Sequence, residues 1–430
     1  MSATTKLFGT DGVRGIAGKP PLVKPFVRRL GAAAALVYRQ HVKNRSAVFL
    51  IGRDTRRSGA WLVEAFAAGV RSQGLRVRDA GVVSTPSLAY LVPKRRVWGG
   101  AMVSASHNPA EFNGIKLFSP SGRKCPDAWE RQIEQRLVDL ADVAGTRGRL
   151  EKDAKAIPDY LRFLRQTLPA RASLRGLTLV VDCSHGSLSR IAPSFLRSIG
   201  AKVIAIGARP NGRNINAGWG SQYPERMQQE VLRRKAYGGL AFDGDADRIV
   251  MCDEHGQLLD GDFIIACAAR FLKEEKRLPT NTVVVTVMAN LGLLKALESW
   301  NIKTLTTPVG DRFVSEKLEE HGAAIGGEQS GHIIFHRHLP TGDGLLTGLQ
   351  VLSMLRQREL PLSYVTTLFQ KYPQVLINVH VKEKKPLEHC PPLQSEITRV
   401  QKELADQGRV FVRYSGTEPL LRIMMEGPDH

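Results

Sequence analysis

Cysteine is scarce in this chain. There are five in 430 residues: Cys125, Cys183, Cys252, Cys267 and Cys390. The number is odd, the spacing is wide, and no C-x-x-C pair occurs. That argues against a zinc site and against a disulfide framework. Long apolar runs are missing as well. The N-terminal MSATTKLFGTDGVRG has no apolar h-region, and no stretch approaches the length of a membrane span. A reducing cytoplasm is the expected compartment, and no membrane contact is expected. Signatures of helix-turn-helix, RNP and zinc-finger modules are lacking too. The net charge is nevertheless +20. Its Lys and Arg residues are dispersed, and local runs such as Lys94-Arg95-Arg96 are short. Dedicated nucleic-acid binding is therefore not expected. A basic site for an anionic substrate fits the charge better, with the remainder on solvated faces.

The length suggests three or four domains. Hydrophobic residues at 43% and charged residues at 24% are ordinary for globular chains, so disorder is not the reading. Such a core needs no covalent staples. Short β-rich runs recur: AVFLIG (47–52), GGAMVSAS (99–106), TLVVDC (178–183), KVIAIG (202–207), GGLAFDG (238–244) and VVVTVM (283–288). Helical patterns lie between them, as at 59–73, which stops at Gly74. Gly-bounded β-branched runs alternating with helices predict parallel α/β layers. Polar motifs close these runs about once per hundred residues, which suggests several similar units. The C-terminal part differs. It reads as a strand (375–382), then a helix from Pro391-Pro392 carrying Leu393, Ile397, Val400 and Leu404, which Gly408 can end. Two strands follow, 409–413 and 420–426. That is a small α+β unit. Linkers are expected near 154–158, 253–256 and 358–364.

Five motifs carry chemistry. FDGDADR (242–248) sets Asp243, Asp245 and Asp247 at alternate positions after an apolar strand. Three close carboxylates repel unless a cation neutralises them, and all-oxygen ligands favour Mg²⁺ or Ca²⁺. The alternative is a solvated acidic turn. Arg248 either contacts a phosphate or balances the acids. VSASHNPAEFNGIK (103–116) puts Ser106 where a strand gives way to a loop, a common place for a nucleophile. His107 and Lys116 suit proton transfer or charge stabilisation. It is not a G-x-S-x-G elbow, so a hydrolase triad is not favoured. GGEQSGH (326–332) offers Glu328, Ser330 and His332 for sugar hydroxyls, although Gly-rich turns between strands look similar. RYSGTEPLLR (413–422) combines a Ser415-Gly416-Thr417 turn with Arg413 and Arg422. The set suits a phosphate, the alternative being a hairpin with solvated arginines. KLFGTDGVRG (6–15) keeps Arg14 near exposed backbone.

Together, in this order and spacing, the five motifs resemble the α-D-phosphohexomutase superfamily over nearly the whole chain. The resemblance implies three related α/β mixed-sheet domains and a smaller C-terminal α+β domain around a central cleft. Their expected bounds are 1–155 (phosphoserine-bearing), 156–255 (Mg²⁺-binding), 256–362 (sugar recognition) and 363–430 (phosphate-binding). It implies that Ser106 carries the phosphoryl group. One Mg²⁺ per subunit is held by Asp243, Asp245, Asp247 and the phosphoserine oxygen. It also implies that Glu328, Ser330 and His332 read the sugar. Arg413, Ser415, Gly416, Thr417 and Arg422 would hold the phosphate that is not transferred. Arg14, Lys116 and Arg248 match basic positions near the reacting phosphate. Lys116 is the expected general acid/base, with His332 as its partner and His107 beside the nucleophile.

KLFGTDGVRG, GEQSGH, TPVGDRFV (307–314) and RYSGTEPLLRIMMEG (413–427) resemble the branch that acts on glucosamine phosphates. The implied reaction interconverts glucosamine 6-phosphate and glucosamine 1-phosphate through a sugar 1,6-bisphosphate, which also serves as activator, for amino-sugar nucleotide and cell-wall precursor synthesis. The implied partner is a small hexosamine phosphate, with a homodimer and an activating kinase as further expectations. Two alternatives stay open: a phosphomannomutase or phosphoglucomutase, and a catalytically degraded sugar-phosphate-binding paralogue. Two departures bear on the second. Ala246 stands where the family usually has glycine, and a positive φ there would strain the loop. The chain also ends at His430, where the family usually continues into a helix. Its absence would expose apolar surface on the last domain.

Overall fold

The computed structural model describes residues 7–9, 11–141, 148, 150–170, 172–415 and 419–428. Four sheets follow one another along the chain. The first runs, edge to edge, Val13–Ile16, Phe112–Phe118, Val97–Val103, Ser46–Arg53, Arg76–Val82 and Glu151–Lys152. Its centre, Ser46–Arg53, is parallel to both neighbours, and its run of apolar residues is buried on both faces, as a central parallel strand requires. Phe112–Phe118 is antiparallel to the strands on either side. Helices Lys24–His41 and Gly59–Ser72 cover one face. They approach so closely that a Cβ on Gly69 would lie 1.9 Å from the Arg28 carbonyl oxygen.

The second sheet orders Leu258–Leu259, Ile249–Cys252, Gly238–Phe242, Thr178–Asp182 and Lys202–Ile206. The third orders Lys303–Thr307, Thr282–Thr286, Ile325–Gly327 and Ile333–Phe335. Each has a parallel centre and an antiparallel hairpin at one side. The fourth is a three-stranded antiparallel sheet, Gln374–His380, Leu420–Glu426 and Arg409–Tyr414, with helix Pro391–Leu404. This is the expected α/β architecture of three related units and a smaller α+β unit.

Three local expectations are corrected. Residues 253–256 do not form a linker; they are the turn of a hairpin, closed by Asp253 N–H to Gln257 O, and the strand after it still pairs in the second sheet. Residues 156–158 already belong to helix Ala156–Gln166. The C-terminal helix stops at Leu404, not at Gly408: Ala405 takes φ +46° and breaks it, and Gly408 is extended.

One apolar core runs without a break from the second unit into the third. Helix Gly344–Gln357 threads it, buried from Gly344 to Leu355. The start of helix Gly261–Glu274 joins the third unit to the fourth. There the buried Asp262 accepts from Asn290 N–H (2.9 Å), and the Asn290 side chain donates to Tyr372 O (2.9 Å) and Glu426 (3.1 Å). Oδ1 of Asp262 meets no partner among the described residues. Burial, and then the neighbouring Asp260, pushes the Asp262 carboxyl up to about 7. Its folded value lies above its unfolded one. The stability it contributes is therefore complete below the ordinary carboxylate range and is lost as pH rises through about 7. Asp262→Asn is expected to flatten the pH dependence of stability over that window and to gain about 2–4 kcal/mol at pH 8, measured by urea denaturation.

Candidate active site

The Ser106 loop leaves the end of Val97–Val103 and returns along Phe112–Phe118. Its shape is imposed from below. Ser104 Oγ donates to Asp54 (2.6 Å) and accepts from Ser106 N–H (3.0 Å). Arg56, fully buried, pairs with Asp54 at 2.8 Å. Its guanidinium also donates to the carbonyls of Ser106 (2.9 Å), Asn108 (2.8 Å), Phe112 (3.0 Å) and Pro109. Asn216 of the second unit donates to the same Ser106 carbonyl at 2.8 Å. Ser106 is thereby held at φ +51°, a left-handed conformation that costs about 1–2 kcal/mol for a non-glycine residue. Its Oγ donates to Asp243 Oδ2 at 2.6 Å, with His107 Nδ1 at 3.4 Å. Burial and then the charges of Arg248 and Arg14 push the His107 imidazole down to about 4, so it is neutral at physiological pH.

Asp243, Asp245 and Asp247 are buried, and one oxygen from each lies within 4.8 Å of the others. Burial, then Asp247 and Asp245, pushes Asp243 well above the usual carboxylate range. Burial also opposes the Asp247 charge, but Lys116, His332 and Arg248 outweigh it and hold that carboxyl far down. Thr85 Oγ1 and Lys116 Nζ share Asp245 Oδ2, at 2.6 and 2.9 Å. Oδ1 of Asp245 and Oδ1 of Asp247 find no hydrogen-bond partner among the described residues. Unmet, buried, anionic oxygens beside a third carboxylate and a serine hydroxyl fit a hard divalent cation. Ala246 has φ +60°, as feared for a glycine position, with its methyl fully buried.

Lys116 is itself buried, 2.9 Å from Asp11 and 3.5 Å from Asp247. Burial disfavours its charge, but Asp11, Asp245 and Asp247 more than compensate, so it stays an ammonium. That suits a charge partner, and a proton donor only toward an oxygen as basic as a departing alkoxide, rather than a base. Arg14 pairs with Asp11 and reaches Asn108 Oδ1 at 3.4 Å. Arg248 donates its backbone N–H to Asp243 (3.2 Å), and its Nε lies 4.0 Å from Asp247.

The turn between Ile325–Gly327 and Ile333–Phe335 brings the third unit in. His332 is buried, with Nδ1 3.8 Å from Asp247 and Nε2 3.7 Å from Asp311. Against burial, Asp247, Asp311 and Glu328 favour the imidazolium. The Gly342 N–H aimed at Nε2 (3.0 Å) favours the neutral ring with its proton on Nδ1. The backbone bond has the shorter, fixed geometry and decides for the neutral ring. Glu328 accepts from Gly310 N–H at 3.1 Å, and Ser330 is exposed.

The fourth sheet sets Arg413 directly opposite Arg422 on neighbouring strands. Like charges in that position destabilise a sheet unless an anion lies against them. Burial and Arg422 lower the affinity of Arg413 for its own proton. Lys384 donates to the Ser415 carbonyl at 2.6 Å. Gly416 and Thr417 lie outside the described residues.

Thus Ser106, His107, Lys116, Arg14, the three aspartates, Arg248 and His332 form one cluster. Asp11, Asp54, Arg56, Thr85, Lys124, Asn216 and Asp311 belong to its framework and went unread in the sequence. The GRDTRRSG stretch around Arg56 follows an apolar strand as the other motifs do, and that placement was the available signal. Arg56→Met is expected to strand the Asp54 charge and lose about 3–5 kcal/mol in urea denaturation. Pairing it with Asp54→Asn is expected to recover part of that loss.

Family models for phosphoglucomutase/phosphomannomutase match the four units in order: alpha/beta/alpha domain I over residues 5–142, domain II over 158–256, domain III over 260–372 and the C-terminal domain over 376–430. A phosphoglucosamine mutase from Desulforamulus reducens is 48% identical over 99% of this chain and 96% of its own length. One from Sorangium cellulosum is 46% identical over 100% and 90%. A phosphoglucomutase/phosphomannomutase family protein from Burkholderia thailandensis shares the fold at TM-score 0.81 and 23% identity, covering 99% of this chain and 93% of that one. So does the Aspergillus fumigatus N-acetylphosphoglucosamine mutase, solved with GlcNAc-6P and magnesium, at 0.65 and 18%, covering 98% and 92%.

Proposed function

The chain belongs to the phosphoglucomutase/phosphomannomutase family, among its phosphoglucosamine mutases, and on that footing we propose that it interconverts glucosamine 6-phosphate and glucosamine 1-phosphate through phosphorylated Ser106. The observation that carries the reading is Ser106 Oγ at 2.6 Å from Asp243, inside a carboxylate cluster with oxygens that meet no hydrogen-bond partner among the described residues. Asp243, Asp245, Asp247 and an oxygen of the phosphoserine would hold Mg²⁺, which when bound neutralises charge on the transferring phosphoryl group.

In the first half the sugar O1 hydroxyl attacks phosphorus and the Ser106 Oγ–P bond breaks, giving glucosamine 1,6-bisphosphate. Lys116, held as an ammonium, supplies the proton to the departing Oγ. The neutral His332 ring gives up the Gly342 N–H bond at Nε2 and takes there the proton of the attacking hydroxyl. The bisphosphate turns over in the cleft, and its 6-phosphoryl returns to Ser106 with the proton roles reversed. Arg14 and Arg248 share the charge of the reacting phosphate, and His107 stays beside the serine as a neutral neighbour. Glu328 and Ser330 contact the sugar. Arg413, Ser415, Gly416, Thr417 and Arg422 hold the idle phosphate. Ser106 receives its first phosphoryl group from a sugar bisphosphate, by its own action or from an activating kinase. The enzyme acts as a cytoplasmic homodimer; among the described residues no helix is long and apolar enough to cross a membrane.

Turnover with Mg²⁺ and a trace of bisphosphate, compared across glucosamine 6-phosphate, glucose 1-phosphate and mannose 1-phosphate, tests the reading. Glucosamine 6-phosphate should be preferred. Ser106→Ala should lose about three orders of magnitude or more in rate and take up no phosphoryl group by intact mass. Near wild-type turnover by that variant would sink the phosphoserine route.

A further inference from the structure

Behind the reacting atoms a chain of alternating charges, ending on the neutral His332 ring, crosses from the second unit through the first into the third. Asp245 meets Lys116 at 2.9 Å, and Lys116 meets Asp11 at 2.9 Å. Asp11 meets Lys124 at 2.8 Å, and Lys124 meets Asp311 at 2.6 Å. Asp311 then lies 3.7 Å from His332. Beyond Asp245, the stretch from Lys116 to His332 has at its two ends the two groups assigned above to proton transfer. Its middle member, Lys124, is the link that crosses between the first and third units. It follows the strand Phe112–Phe118 that carries Lys116, while Asp311 opens the helix Asp311–His321.

Other ion pairs bridge the same boundary. Arg123 pairs with Glu319, and Arg312 bonds Glu130 (3.0 Å) and the Cys125 carbonyl (3.2 Å). Those contacts hold the units together but do not reach the acid–base pair. Lys124 differs because each of its carboxylate partners also faces one member of that pair. Without its charge, Asp11 and Asp311 would confront each other across the boundary as like charges. Both would then shift, taking Lys116 and His332 out of register. A displacement of about 1 Å at such groups is enough to cost about 10²-fold in rate.

We propose that Lys124 is a positioning residue which, by bridging Asp11 and Asp311, keeps Lys116 and His332 in register across the boundary between the first and third units. The inference rests on the mutase reading above. It ties the acid–base geometry to docking of the third unit, so the pair is aligned only when that boundary is closed.

The test uses the full chain with Mg²⁺ and glucosamine 6-phosphate. Lys124→Met is expected to lower kcat about 10²-fold while KM changes by less than about threefold and the melting temperature by a few degrees. Lys124→Arg, which keeps charge and donors, should recover at least about tenfold of that loss. Asp311→Asn should resemble Lys124→Met, and it serves as the readout if Lys124→Met does not fold. Glu319→Gln, at the same boundary but outside the chain of charges, should leave kcat unchanged. Wild-type kcat in Lys124→Met or Asp311→Asn, an effect on KM alone, or an equal loss in Glu319→Gln would overturn the proposal while leaving the mutase reading intact. Wild-type protein inactive on every sugar phosphate would overturn that reading and this inference with it.

Discussion

Three buried carboxylates within 4.8 Å of one another are the constraint on which the site depends. At an effective dielectric near 20, each charged pair at that distance repels by roughly 3–4 kcal/mol. The fold answers with fixed positive charge and donors. Lys116 lies between Asp245 and Asp247, Arg248 flanks Asp247, and Thr85 and Ser106 donate to Asp245 and Asp243. The answer is incomplete, since one oxygen of Asp245 and one of Asp247 meet no hydrogen-bond partner among the described residues and Asp243 resists ionisation. A divalent cation completes it. The serine that points into the cluster is thereby aimed where a phosphoryl group would meet both metal and cationic side chains.

The loops reach this place by one repeated device. In each of the first three sheets, a strand with a parallel neighbour turns into an antiparallel one, and the functional loop is that turn. Each turn contains a left-handed residue: Ser106 at φ +51°, Ala246 at +60° and Gly331 at +91°. The numbers explain why only the last must be glycine. The first two fall in the small left-handed region open to any residue at modest strain. Gly331 lies beyond it, and a Cβ there would stand 2.0 Å from the Ile249 carbonyl oxygen. Alanine at 246 is tolerable because its methyl is fully buried, which offsets part of the strain by about 0.8 kcal/mol.

How much of this could be read beforehand depended on distance along the chain. Asp243, Asp245 and Asp247 declare themselves because the chemistry is local, three acids in five residues after an apolar strand. Ser106 and Lys116 were found by the strand end and by resemblance. Arg56, Asp54, Asn216 and Lys124 were not, and Asp11 and Asp311, although inside KLFGTDGVRG and TPVGDRFV, carry no role that those motifs reveal. Each looks like an ordinary polar loop residue, and its role arises only when partners from far along the chain arrive, as Lys124 does with Asp311. Helix ends failed for a local reason. Gly408 was the obvious stop, yet Ala405 breaks the helix a turn earlier and leaves the glycine extended.

The charge of the molecule then takes on a clearer sense. A large positive excess says little by itself, since most such residues are solvated. Two places, however, stand out in opposite senses. The aspartate cluster gathers negative charge in one buried spot, and Arg413 and Arg422 face each other on neighbouring strands of the fourth sheet. A substrate with phosphate at one end, bound with a divalent cation at the other, meets both at once. The same arrangement favours a sugar bisphosphate staying bound while it turns, since either of its phosphates suits either place.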